Sequence, residues 1–119
     1  ENAIQDFSVA MEVDPKFADA YLRRGKTRES NGDYRSAIAD FDRALDINPD
    51  CVETLVCRGR AKKDSRDLTG ALADYDRAIV VNPAYAPAYY NRGLARQAVG
   101  HLEGAAEDRA AEYSLRKKP

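Results

Sequence analysis

Hydrophobic and small residues recur along this chain in two kinds of block. One block pairs a large apolar residue with a glycine four positions on: Tyr21 and Gly25, Leu55 and Gly59, Tyr89 and Gly93. The other runs alanine, aromatic, alanine at spacings of four and three: Ala3, Phe7, Ala10; then Ala37, Phe41, Ala44; then Ala71, Tyr75, Ala78. Those spacings place each set on one face of an α-helix. Seven helices are predicted, at about 1–13, 18–31, 35–47, 52–65, 69–81, 86–99 and 102–116. Gly32-Asp33 and Gly100-His101 mark turns, whereas the corresponding turn near 66 carries Arg66-Asp67 and no glycine. Pro15, Pro49 and Pro83 follow helices because proline cannot continue one. Pro87 falls in the first turn of its helix, where a missing N–H costs little.

The pattern is a repeat. Pro15, Pro49 and Pro83 stand 34 residues apart. At the same period Asp40-Phe41-Asp42-Arg43-Ala44 recurs as Asp74-Tyr75-Asp76-Arg77-Ala78, and Arg24-Gly25 recurs as Arg58-Gly59 and Arg92-Gly93. A 34-residue period with these marks resembles the tetratricopeptide-repeat (TPR) family over nearly the whole chain. The resemblance implies an all-α, right-handed superhelical solenoid of antiparallel helix pairs, A and B, with about three and a half repeats. Residues 1–17 are then the second half of a truncated repeat. Full repeats occupy 18–51 and 52–85, and 86–119 is a C-terminal capping repeat. Small residues such as Gly25 and Ala37 allow two backbones to approach closely while the large residues fill the space beside them.

Where the family favours apolar residues in helix A, this chain has Arg24, Arg58 and Arg92, and then Arg28, Lys62 and Arg96. Helix B has Asp6, Asp40, Asp74 and Asp108 before its aromatic position. Arg24 and Asp40 lie equally far from their turn, so antiparallel helices bring them level, as they do Arg58 with Asp74 and Arg92 with Asp108. These predict structural ion pairs, bidentate where geometry allows. Arginines lining a ligand site is the rival reading, but three copies at one offset point to architecture. This Arg-Gly variety resembles prokaryotic-type TPR proteins. The last B helix departs most: Arg109 replaces the aromatic, Glu112 the alanine and Lys117 the proline, which fits a solvent-facing cap. The tail Arg116-Lys117-Lys118 reads as a solvated end.

Composition narrows the function. Lys and Arg total 19 against 20 Asp and Glu, without the clustered basic excess of a nucleic-acid binder. Apolar runs such as Ala78-Ile79-Val80-Val81 are too short to insert in a membrane. Cys51 and Cys57 match no zinc spacing and read as free thiols, which favours a reducing, cytoplasmic setting. The one histidine, His101, reads as a turn residue. Asp40 with Asp42 and Asp74 with Asp76 do not face each other on a helix. No catalytic, metal or cofactor site is expected, and no enzyme.

Binding is the expected function. The resemblance implies that A helices line a concave groove. Its face reads Asp19, Leu22, Arg23, Lys26, Glu29; Glu53, Val56, Cys57, Arg60, Lys63; and Pro87, Tyr90, Asn91, Leu94, Gln97. Leu22, Val56 and Tyr90 form an apolar row, and Arg23, Lys26, Arg60 and Lys63 a basic patch. The candidate groove is therefore Leu22, Arg23, Lys26, Val56, Cys57, Arg60, Lys63, Tyr90, Asn91 and Leu94. Its rival is an ordinary solvated face. The complementary ligand is an acidic peptide with an apolar anchor. One TPR subclass grips the C-terminal carboxylate of chaperones with a Lys/Asn/Asn/Lys/Arg set. Here those slots hold Leu22, Lys26, Cys57, Pro87 and Asn91, so that clamp is not expected, although Asn91 matches a groove asparagine of many TPRs. The reading is a protein–protein interaction scaffold. Self-assembly into a homo-oligomer, or a regulatory segment of a larger protein, are the alternatives.

Overall fold

Helix-forming blocks broken by short turns give six helices in the computed structural model, which describes residues 15–117. They are α1 (Pro15–Ser30), α2 (Tyr34–Ile47), α3 (Val52–Asp64), α4 (Leu68–Val81), α5 (Ala86–Ala98) and α6 (Leu102–Lys117). No strand occurs among the described residues. The helix expected over 1–13, with Ala3, Asp6, Phe7 and Ala10, lies outside them. Helix α1 starts at Pro15, three residues ahead of expectation. Proline's fixed φ suits a first helical turn. By contrast, Pro49 and Pro83 lie in loops, after C-caps Asn48 and Asn82 whose N–H groups close onto the carbonyls of Ala44 and Ala78.

The three turns within helix pairs share one construction. The N–H groups of Asp33, Asp67 and His101 donate back to the carbonyls of Arg28, Lys62 and Arg96 at 2.9, 2.7 and 2.8 Å. Such a bond requires a left-handed residue just before the donor. Gly32 and Gly100 supply it with φ of 81° and 86°, and Arg66 is forced into the same conformation at 76°. The turn without glycine is therefore built like the others, at a steric cost. Asp33 and Asp67 then cap α2 and α4 by accepting from the N–H of Ser36 and Gly70.

Antiparallel pairs α1–α2, α3–α4 and α5–α6 stack in order, α2 on α3 and α4 on α5. Helices α1 and α3 also touch, as do α3 and α5, so the A helices form the inner row of a solenoid. The repeated small and aromatic residues are the core. Ala37, Phe41, Ala71, Tyr75 and Ala105 are fully buried. Gly25 and Gly59 are sites of close approach: a Cβ on either would lie 2.5 Å from the ring of Phe41 or Tyr75. Burying the Tyr75 ring leaves its hydroxyl without a hydrogen-bond partner and pushes its pKa above the usual tyrosine range.

Candidate peptide-binding face

Helix A of each pair carries two sets of charges, and packing separates their roles. Arg24, Arg58 and Arg92 point at helix B of their own pair. Each grips a buried aspartate with two nitrogens: Arg24 on Asp40 at 2.7 and 3.0 Å, Arg58 on Asp74 at 2.7 and 2.9 Å, Arg92 on Asp108 at 2.8 and 3.0 Å. Arg28, Lys62 and Arg96, one helical turn on, add a second cation to the same carboxylates at 3.0, 3.3 and 3.1 Å. Two cations and several N–H donors thus satisfy each buried carboxylate. A further link was not foreseen: Arg58 also reaches Asp42 and Arg92 also reaches Asp76, at 2.8 and 3.0 Å, on the preceding B helix. Its signal was the second aspartate of Asp40-Phe41-Asp42, which spacing alone could only mark as facing elsewhere. These arginines are architectural.

The inner face of α1, α3 and α5 presents the other set. Arg23 pairs with Asp19 at 2.6 Å on its own helix. Lys26 crosses to Glu53 of α3 at 2.8 Å, and the Glu53 hydrogen bond and charge raise its pKa. Arg60 crosses the opposite way, bidentate on Glu29 of α1 at 2.7 and 3.2 Å. The Glu29 side chain is only 9% exposed, so this pair ties α1 to α3. Lys63 forms no ion pair among the described residues. Of the four cations expected as a basic patch, Arg23 and Lys26 lie on α1 and Arg60 and Lys63 on α3, and three of them are matched by Asp19, Glu29 and Glu53. Helix periodicity put those acids on the same face without saying that they would pair across helices.

The apolar row needs a larger correction. Leu22 and Val56 are 6% and 3% exposed and Cys57 is 3% exposed, so all three are core rather than open contact surface. Leu22 and Cys57 pack with Phe41 and Ala61, and Val56 with Leu45 and Ala88. Burial pushes the Cys57 thiol up to about 11. Asn91 is also buried, and its Nδ2 donates to the carbonyl of Pro87 at 2.8 Å, which holds it against its own helix. Tyr90 and Leu94 stay exposed on α5. Leu22 lines a cavity of about 340 Å³ together with Asp19, Arg23, Lys26 and Glu53, and borders a smaller one of about 150 Å³ with Ala18, Cys51 and Thr54. Tyr85, the N-cap residue of α5, was missed; it senses the charges of Glu53 and Lys26, and burial raises its pKa.

Among the described residues no cluster of His, Cys, Asp and Glu could hold a metal ion. No described helix is long and apolar enough to cross a membrane.

A model of the tetratricopeptide repeat matches residues 18–51, and a second TPR-repeat model matches residues 59–100. No curated protein matches the sequence. Several solved structures resemble the chain. The first TPR of Spaghetti (RPAP3), bound to the HSP90 peptide SRMEEVD, aligns over 91% of this chain and 86% of its own, with 27% identity and a TM-score of 0.84. The first TPR domain of human RPAP3 aligns over 89% of this chain and 84% of its own, with 26% identity and a TM-score of 0.85. The Sgt2 TPR domain from Aspergillus fumigatus aligns over 89% of this chain and 70% of its own, with 28% identity and a TM-score of 0.82.

Proposed function

Because the chain belongs to the tetratricopeptide-repeat family, we propose that it is a protein-interaction scaffold that holds a segment of another protein against the inner face of α1, α3 and α5. The reading assigns a binding module with no catalytic step. One observation carries it: the inner row exposes Arg23 and Lys26 together with Tyr90 and Leu94, with half-buried Lys63 on α3, while Arg60 is engaged in holding α1 to α3. Exposed ion pairs contribute only about 0–1 kcal/mol, so a ligand carboxylate can displace Asp19 or Glu53 from Arg23 or Lys26 at small cost. Tyr90 and Leu94, rather than Leu22 and Val56, receive the apolar anchor.

The Spaghetti domain bound to SRMEEVD supports a peptide ligand of acidic character. In this chain a terminal-carboxylate clamp is disfavoured, because Leu22 and Cys57 are buried in two of its slots and Pro87 stands in a third. We assign recognition to side-chain carboxylates of the ligand plus one apolar residue. The test is a fluorescence-anisotropy titration with labelled SRMEEVD as free acid and as C-terminal amide. Both forms should bind with similar affinity, and binding should weaken as salt rises from about 0.05 to 0.5 M, where screening shortens to a few ångströms. Lys26→Glu with Lys63→Glu should weaken it about tenfold, from two reversed charges on this face. Loss of binding on amidation would return the terminal clamp. Indifference to both salt and the double change would move the site off this face.

A further inference from the structure

Helix α6 exposes a stripe that its two counterparts bury. On α2 the residues Tyr34, Ile38, Phe41 and Leu45 lie along one line at helical spacing. On α4 the matching residues are Leu68, Leu72, Tyr75 and Ile79, and on α6 they are Leu102, Ala106, Arg109 and Tyr113. The first two stripes are seats for the next A helix. Tyr34, Ile38 and Phe41 cluster with Cys57 and Ala61 of α3, and Leu68, Leu72, Tyr75 and Ile79 cluster with Ala88 and Ala95 of α5. On α6 nothing among the described residues covers the stripe: Leu102 is 66% and Tyr113 65% exposed. Leu102 and Tyr113 thus stand exposed in register with residues that the two covered seats pack against the next A helix.

The charges on this seat are inverted relative to the two covered ones. In both observed interfaces the incoming A helix brings an arginine, Arg58 or Arg92, and the seat supplies the aspartate, Asp42 or Asp76. On α6 the aspartate slot holds Ala110, and its neighbour is Arg109, which has no ion-pair partner among the described residues. Lys117 extends the positive edge, its ammonium 5.6 Å from the Tyr113 ring centre. Another A helix of this chain's own type would set its arginine beside Arg109, with no carboxylate to receive it. The seat thus keeps a large apolar residue at each end, Leu102 and Tyr113, has Ala106 and Arg109 between them where the covered seats have large apolar residues, and refuses the charge of the repeat interface.

We propose that the outer face of α6 is a second docking site, which takes an acidic amphipathic helix of a partner protein in the place that α3 takes on α2 and α5 takes on α4. The partner helix presents small apolar residues four or seven apart, as Cys57 and Ala61 or Ala88 and Ala95 do. It carries Glu or Asp where α3 and α5 carry Arg58 and Arg92. The site is independent of the inner face.

A probe can be cut from the molecule itself: a peptide of residues 84–99, held helical by a hydrocarbon staple replacing Tyr90 and Leu94, prepared with Arg92 and with Arg92→Glu. Titrated into the full isotope-labelled chain, the Glu form should shift the amide signals of Leu102, Ala106, Arg109 and Tyr113. It should bind about two- to fivefold tighter than the Arg form, the range expected for one exposed charge pair. In an Arg109→Glu protein that order should reverse. Tyr113→Ser, at an exposed position, should leave the fold intact and weaken both forms. Shifts centred on α4 or the inner face would overturn the proposal, as would an order unchanged by Arg109→Glu. Self-association in sedimentation velocity that Tyr113→Ser abolishes would overturn it too, by making a second copy the occupant.

Discussion

The same substitution, glycine to alanine, should change sign between two equivalent positions of this solenoid. Gly59 and Gly93 occupy the same place in α3 and α5. In an exposed helix interior, alanine is favoured over glycine by about 1 kcal/mol. At Gly59 a Cβ would stand 2.5 Å from Cε1 and 2.9 Å from Cδ1 of Tyr75. Ordinary contact is about 3.5–4 Å, so the ring must retreat by about 1 Å. It has nowhere to go, being fully buried among Leu55, Ala71 and Ala78. Overpacking of this kind costs about 1–3 kcal/mol, so Gly59→Ala should be destabilising by roughly 1–2 kcal/mol net. At Gly93 the aromatic slot holds exposed Arg109, and the nearest atoms are Asp108 Cβ at 3.2 Å and the Ala105 carbonyl oxygen at 3.5 Å. A shift of a few tenths of an ångström suffices, and the helix preference wins. Gly93→Ala should be neutral or stabilising by up to about 1 kcal/mol. The two variants should therefore differ by about 2 kcal/mol, or roughly 6–10 °C in Tm for a chain of this size. Urea unfolding followed by circular dichroism measures both, with a constant m-value as the check that the transition itself is unchanged. Tyr75→Leu should rescue Gly59→Ala. Equal effects at the two glycines, or stabilisation at Gly59, would refute the close-approach argument.

Three further outcomes follow from the same geometry. Arg58→Ala should destabilise by about 3 kcal/mol because it strips two bonds from buried Asp74, whereas Arg58→Leu with Asp74→Leu should recover much of that loss; a double-mutant cycle without coupling energy would refute the pairing. Arg66→Gly should stabilise by about 1 kcal/mol in thermal unfolding, since it relieves a left-handed residue at φ 76°. Burial pushes the Cys57 thiol up to about 11 from an ordinary value near 9.0; the stability its protonated form supports is therefore whole below pH 9 and falls between pH 9 and 11, by at most about 2–3 kcal/mol. Cys57→Ala should flatten that part of the stability–pH curve, and an unchanged slope would contradict the burial of the thiol.

Sequence reading reached the fold because a repeat states its own constraints several times. Tyr21, Gly25, Ala37 and Phe41 recur at one period, so each position is averaged over copies and a chance match at one copy does not mislead. The Arg–Asp pairs were legible for a related reason. Two residues equally far from a tight turn on antiparallel helices must meet, whatever the rest of the molecule does. The turn at Arg66 was less clear, because the chain there omits the glycine that normally announces a left-handed residue, and only the surrounding helices hold Arg66 in it.

The inner face was legible in outline but not in detail. Spacing put Leu22, Lys26, Val56 and Arg60 on one side of their helices, yet Leu22 and Val56 are core while Lys26 and Arg60 reach across to a neighbouring helix. Each A helix, however, packs against its own B helix and against neighbouring helices of the stack, from two to four among the described residues, and one-dimensional periodicity cannot say where that coverage stops. Coverage reaches Leu22, Val56, Cys57 and Asn91 and leaves out Tyr90 and Leu94. Nor can spacing say which charges find partners. Lys26 with Glu53 and Arg60 with Glu29 are 27 and 31 residues apart and meet only because α1 lies against α3. The sequence by itself determined the helices, their pairing and the ion pairs within each pair, since these depend on local periodicity and turn length. Tertiary structure alone decided which inner-face residues remain open to a ligand and left the α6 stripe uncovered, because exposure is set by the stacking of one pair on the next.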